Sequence, residues 1–75
     1  MRAYVFIKAK AGKTKAVAKT LATLPGVGAV DPCWGMPDII AVVQVKGERA
    51  LNDLILNKIQ NVSGVEHTET HIVLE

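Results

Sequence analysis

Shifted by 38 residues, this 75-residue chain lies over itself. Ala3, Val5, Ile7 and Lys8 fall on Ala41, Val43, Val45 and Lys46; Val17, Leu21 and Leu24 fall on Ile55, Ile59 and Val62; Leu24-Pro25-Gly26-Val27 falls on Val62-Ser63-Gly64-Val65. A chain made of two like halves must adopt a fold that two like halves can build, and few topologies of this length qualify. Residues 3 to 10 alternate as a strand does, with Ala3, Val5, Ile7 and Ala9 on one face and Tyr4, Phe6, Lys8 and Lys10 on the other. Ala11-Gly12 breaks that strand. Lys13 to Leu24 then carries Val17, Leu21 and Leu24 at the spacing of an amphipathic helix, stopped by Pro25-Gly26. Val27 to about Asp31 leads a second strand.

The second half repeats the order. Ile39 to Val45 is apolar on both faces until Gln44, as in an interior strand. Glu48 to about Val62 carries a helical stripe of Leu51, Leu54, Ile55, Ile59 and Val62, with Lys58 at its edge. Ser63-Gly64 is a C-cap signal, and Val65 to Leu74 reads as the last strand. Two interleaved strand-helix-strand halves make an α+β, ferredoxin-like βαββαβ domain over residues 1 to 75, with both helices on one face of a four-stranded antiparallel sheet.

Two helices cover one sheet face only, yet Tyr4, Phe6 and one side of the Ile39 to Val45 strand lie on the other. An open apolar face of that kind is an aggregation hazard for a soluble monomer, so the sequence predicts a two-fold dimer packed sheet face on sheet face. Size argues the same way, because a chain this short buries only about 60 % of its unfolded surface. Cys33 has no partner cysteine in the chain and no Cys/His set has zinc-finger spacing, which leaves self-association as the staple.

Hydrophobic residues make up 49 % of the chain and aromatics 4 %, which favours an aliphatic core over a stacking platform. The apolar opening meets Lys8 far too soon for a signal peptide or a membrane span. A cytoplasmic chain with no membrane contact and a reduced, buried Cys33 is therefore expected. Charge is uneven: residues 1–30 carry +6 and residues 31–75 carry −4. A solvated helix face accounts for the basic run, although the acidic half could also meet the basic half of a neighbouring copy.

The connection Asp31-Pro32-Cys33-Trp34-Gly35-Met36-Pro37-Asp38 holds far more than a hairpin turn needs. Gly35 can take a positive φ, while Pro37 fixes its own backbone and restricts Met36. Asp38 heads the apolar third strand. Two roles are open to it: capping its own turn through backbone N–H groups, or accepting from the ammonium or amide of a ligand.

Other chemistry is poorly supported. His67, Glu69 and His71 share a strand face, but the two histidines are then about 13 Å apart, too far to chelate one ion. Ser63 is the only serine and sits in a cap turn; there is no phosphate loop, no paired carboxylates and no Cys/His dyad. No catalytic residue, metal or cofactor is expected. An RNA-binding sheet of this fold needs aromatics on its third strand, where Ile39-Ile40-Ala41-Val42 stands, and a metallochaperone needs Cys-x-x-Cys where Lys10-Ala11-Gly12-Lys13 stands.

Leu24-Pro25-Gly26-Val27, Gly35-Met36-Pro37-Asp38-Ile39-Ile40, Gly64-Val65 and Thr68-Glu69-Thr70 together resemble the C-terminal effector (RAM) domain of the leucine-responsive/AsnC, or feast/famine, transcription regulators. The resemblance implies a domain that dimerises through its sheet, forms rings of four or five dimers (octamer or decamer), and binds a small amino acid between dimers. Carried over residue by residue, it makes Asp38 the acceptor for the α-ammonium. Backbone N–H groups around Gly35 and the hydroxyls of Thr68 or Thr70 would face the α-carboxylate, Met36 and Trp34 would shape the side-chain pocket, and Pro37 would stiffen the ligand-binding loop. Full-length members begin with a helix-turn-helix domain. This chain starts at the first strand, which implies a stand-alone module without direct DNA binding that modulates full-length AsnC-type regulators by co-assembly. Two alternatives stay open: a structural ring-former with a degenerate effector site, and a small ferredoxin-like monooxygenase.

Overall fold

The computed structural model describes residues 1–74. Its elements run β1 (Arg2–Ala9), α1 (Thr14–Leu21), β2 (Val27–Pro32), β3 (Ile39–Gln44), α2 (Glu48–Asn52) continued by a π-helical segment (Asp53–Ile59), and β4 (Val65–Ile72). The strands form one antiparallel sheet in the order β2-β3-β1-β4, the ferredoxin-like arrangement.

Alternation along the strands decides which face is dry. Ala3, Val5, Ile7 and Ala9 of β1 and Ile39, Ala41 and Val43 of β3 are buried, and they share one core with Val17, Ala18 and Leu21 of α1 and Leu51, Leu54, Ile55 and Ile59 of the second helix. The opposite face carries Tyr4, Phe6, Ile40 and Val42 at its centre, paired Tyr4 with Val42 and Phe6 with Ile40. Tyr4 remains 38 % exposed there. Among the described residues no helix lies over this face.

The internal repeat is visible as geometry. In the β1–β3 ladder Ala3 pairs with Val43 and Val5 with Ala41, and a shift of 38 residues exchanges those two pairs. The Tyr4–Val42 pair maps onto itself, so a local two-fold axis passes through it. The turns that leave the helices also match: Leu24 N–H donates to the Leu21 carbonyl and Val62 N–H to that of Ile59, both at 3.1 Å, while Val27 N–H donates to Leu24 and Val65 N–H to Val62, again both at 3.1 Å. These three-residue bonds tighten the helix ends. They also place the end of α1 at Leu21, three residues before the expected Leu24.

The halves differ where the second helix widens. Gln60 N–H reaches back five residues to the Ile55 carbonyl, whereas Ala22 N–H reaches back four to Ala18. The wider turn brings Leu54 and Ile59 closer to one face than an α-helix would, where they would stand about 140° apart, and both are buried. A plain α-helix to Val62, as the stripe predicts, is therefore corrected. The last strand is shorter too: β4 ends at Ile72, and Leu74 is exposed, because the final ladder bond runs from Val73 N–H to the Arg2 carbonyl where β1 begins.

Candidate functional site

The segment from Cys33 to Asp38 leaves the top of the sheet as a closed loop. Cys33 N–H donates to the Asp38 carbonyl at 2.7 Å, joining the two ends, and Asp38 N–H donates to the Ile7 carbonyl at 3.1 Å. Gly35 has φ +100°, and the Met36–Pro37 peptide bond is cis. Trp34 is fully exposed and Met36 largely so. Cys33 is half-buried rather than buried, its thiol donating to the Asp31 carbonyl at 3.4 Å.

Asp38 does not cap its own turn. Its Oδ2 accepts from Ala9 N–H at 2.9 Å, on the neighbouring strand β1. The carboxylate thus takes the place of the next ladder carbonyl just where the loop lifts β3 away. Oδ1 accepts no hydrogen bond from the described residues, so one oxygen is fixed and the other is free to bind.

A depression of about 500 Å³ opens on one side of the loop, lined by Thr14, Lys15, Pro32, Cys33, Trp34, Gly35 and Asp38. A second, of about 440 Å³, opens onto the uncovered sheet face and is lined by Phe6, Lys8, Met36, Pro37, His67 and Glu69. The loop therefore stands as a wall between two hollows. Gly35 and Asp38 look into the first, Met36 and Pro37 into the second.

Thr68 and Thr70 are not brought to the loop within one chain. They pair with Ile7 and Val5, whose side chains are buried on the helix-covered face, and Thr68 Oγ1 accepts from Gln60 Nε2 at 2.9 Å. His67, Glu69 and His71 share the uncovered face; His71 lies 3.4 Å from Glu69, and its ring is 4.9 Å from that of Phe6. Lys8 Nζ stands 4.0 Å from Glu66, the residue bulged out of the β1–β4 ladder. Among the described residues no three His, Cys, Asp or Glu side chains are grouped to hold a metal ion, and no helix is long and apolar enough to cross a membrane. Thr14 and Lys15 are site-lining residues that the sequence reading missed, since only folding brings the start of α1 beside the loop.

The sequence model of the Lrp/AsnC ligand binding domain matches residues 2–75. The chain belongs to this family. It is 37 % identical over its 75 residues to the HTH-type transcriptional regulator FL11 of Pyrococcus horikoshii, and spans about half the length (49 %) of that relative. Among solved structures it superposes on TTHA0845 from Thermus thermophilus with TM-score 0.93 and 31 % identity, covering 99 % of this chain and 92 % of that one. It superposes equally clearly on E. coli AsnC, with TM-score 0.91 and 27 % identity, covering 99 % of this chain and 50 % of AsnC. As an Lrp/AsnC ligand-binding domain with transcription regulators as relatives, it is a regulatory domain rather than an enzyme, which removes the monooxygenase alternative.

Proposed function

We propose that this Lrp/AsnC domain binds a small amino acid in the cytoplasm and, as a homo-oligomer, modulates transcription by co-assembling with full-length regulators of its family. The observation that carries the reading is the Asp38 carboxylate, pinned through Oδ2 to Ala9 and with Oδ1 left unbonded beside a hollow. A fixed carboxylate needs no reordering to accept an ammonium, and charge-assisted hydrogen bonds are roughly twice as strong as neutral ones. Backbone N–H groups around Gly35 serve the other end of the ligand. Met36 and Pro37 line the hollow on the uncovered face, so the same loop meets the ligand on one side and a covering subunit on the other. That shared wall is how occupancy would be linked to assembly.

Thr68 and Thr70, remote from the loop in one chain, enter this reading as contributions from a neighbouring copy. The assembly is a dimer closed over Tyr4, Phe6, Ile40 and Val42, with dimers joined into an octamer or decamer. The test is particle mass by light scattering together with calorimetry, against each of the twenty amino acids. Saturable binding that shifts the mass and is lost in Asp38→Asn supports the reading. Silence across the panel with rings still present would leave a structural ring-former whose effector site is degenerate.

A further inference from the structure

Lys15 and Asp38 line the same hollow, beside Thr14, Cys33, Trp34 and Gly35. Opposite charges that share a small concavity usually pair, but these do not: no carboxylate of the described residues lies within 4.0 Å of the Lys15 ammonium. Asp38 cannot swing across without giving up its bond to Ala9. The hollow thus has on its lining a fixed carboxylate and a lysine unpaired among the described residues, available to whatever enters between them. An amino acid has the complementary pattern, its ammonium and carboxylate being carried on a single carbon. We infer that Lys15 is the residue that recognises the ligand's α-carboxylate, with the Thr14 hydroxyl as a second donor, so that one chain reads both ends of a zwitterion. The inference rests on the amino-acid-binding reading given above and adds to it a carboxylate partner on α1 that lies outside the loop and the last strand.

Lys15 is an exposed residue of α1, and methionine and lysine have similar helix propensities, so Lys15→Met leaves the fold intact. The probes are the twenty L-amino acids, each beside its own α-carboxamide, which keeps the ammonium and side chain but loses the negative charge. Binding is followed by calorimetry and by the emission of Trp34, the only tryptophan in the chain. The wild-type protein is expected to prefer the acid over the amide by about three- to tenfold, the range of a partly exposed charge-assisted contact. Lys15→Met should reduce that preference severalfold while binding the amide as before, Lys15→Arg should retain most of it, and Lys19→Met, one helical turn on, should change nothing. An unchanged preference in Lys15→Met overturns the inference alone, as does an equal loss in Lys19→Met, which would mark a diffuse field. No saturable binding by the wild-type chain overturns it together with the reading it rests on.

Discussion

Asp38 uses one carboxylate oxygen in the fold and leaves the other without a partner among the described residues. Oδ2 satisfies Ala9 N–H, so Asp38→Ala leaves that donor without a partner and is expected to cost about 1–3 kcal/mol in urea unfolding. Asp38→Asn keeps an oxygen in the same place and should unfold near the wild-type midpoint while failing to hold an ammonium; separating fold from ligand in this way is the purpose of the pair. That Asp38 matters was legible from its place between a proline-bearing loop and an apolar strand. Its structural partner was not, because the donor lies 29 residues earlier and no local pattern points to it. Glycines show a similar contrast. Gly64 has φ +99°, and a Cβ there would come within 2.8 Å of Val17 Cγ2; Gly35 has φ +100° with nothing within 4 Å. Alanine at either position meets the left-handed penalty of about 1–2 kcal/mol. Gly64→Ala must also displace Val17, so it should lower the melting temperature more than Gly35→Ala does, and the excess should shrink in a Val17→Ala background.

At the level of elements, the repeat makes a quantitative claim. Leu21 and Ile59 are equivalent under it, and both are fully buried. Truncating either to alanine should cost a similar amount, about 2–5 kcal/mol, measured by chemical denaturation; a tolerant response at one site alone would mean that the two helices do not share one core. All four strands and both helices were legible because periods of two and of 3.6 leave different marks on a sequence. The widened segment Asp53–Ile59 was not, since Leu51, Leu54, Ile55 and Ile59 fit an ordinary apolar stripe and the five-residue bond leaves no compositional trace. Nor was the bulge in β2, where the register slips between Val27 and Val30; an edge strand has a ladder on one side only to hold its count.

For the molecule as a whole, the uncovered face was foreseen from Tyr4, Phe6 and the two-sided apolarity of β3, and the fold leaves it bare. Val42 lies on the local two-fold axis and is half-buried in the single chain. In the proposed face-to-face dimer Val42→Lys sets two like charges against an apolar surface, so light scattering should show the mass falling to that of one chain without loss of helical circular dichroism. A dimer that persists would place the subunit contact elsewhere. The candidate site was only partly legible at this scale. The loop, the threonines and the last strand were expected from sequence to form one site, but strand pairing distributes them over both sheet faces.

Among the described residues, the start of β1 and the end of β4 lie side by side. Met1 bonds through its amino group to the Val45 carbonyl at 2.8 Å, and Val73 N–H donates to the Arg2 carbonyl at 2.9 Å, so a short bridge could link the end of β4 to the start of β1. New ends opened within residues 33–38, between the halves, would then swap the order of the two modules while keeping every neighbour in the sheet. Such a permuted gene should yield a protein with the same spectrum.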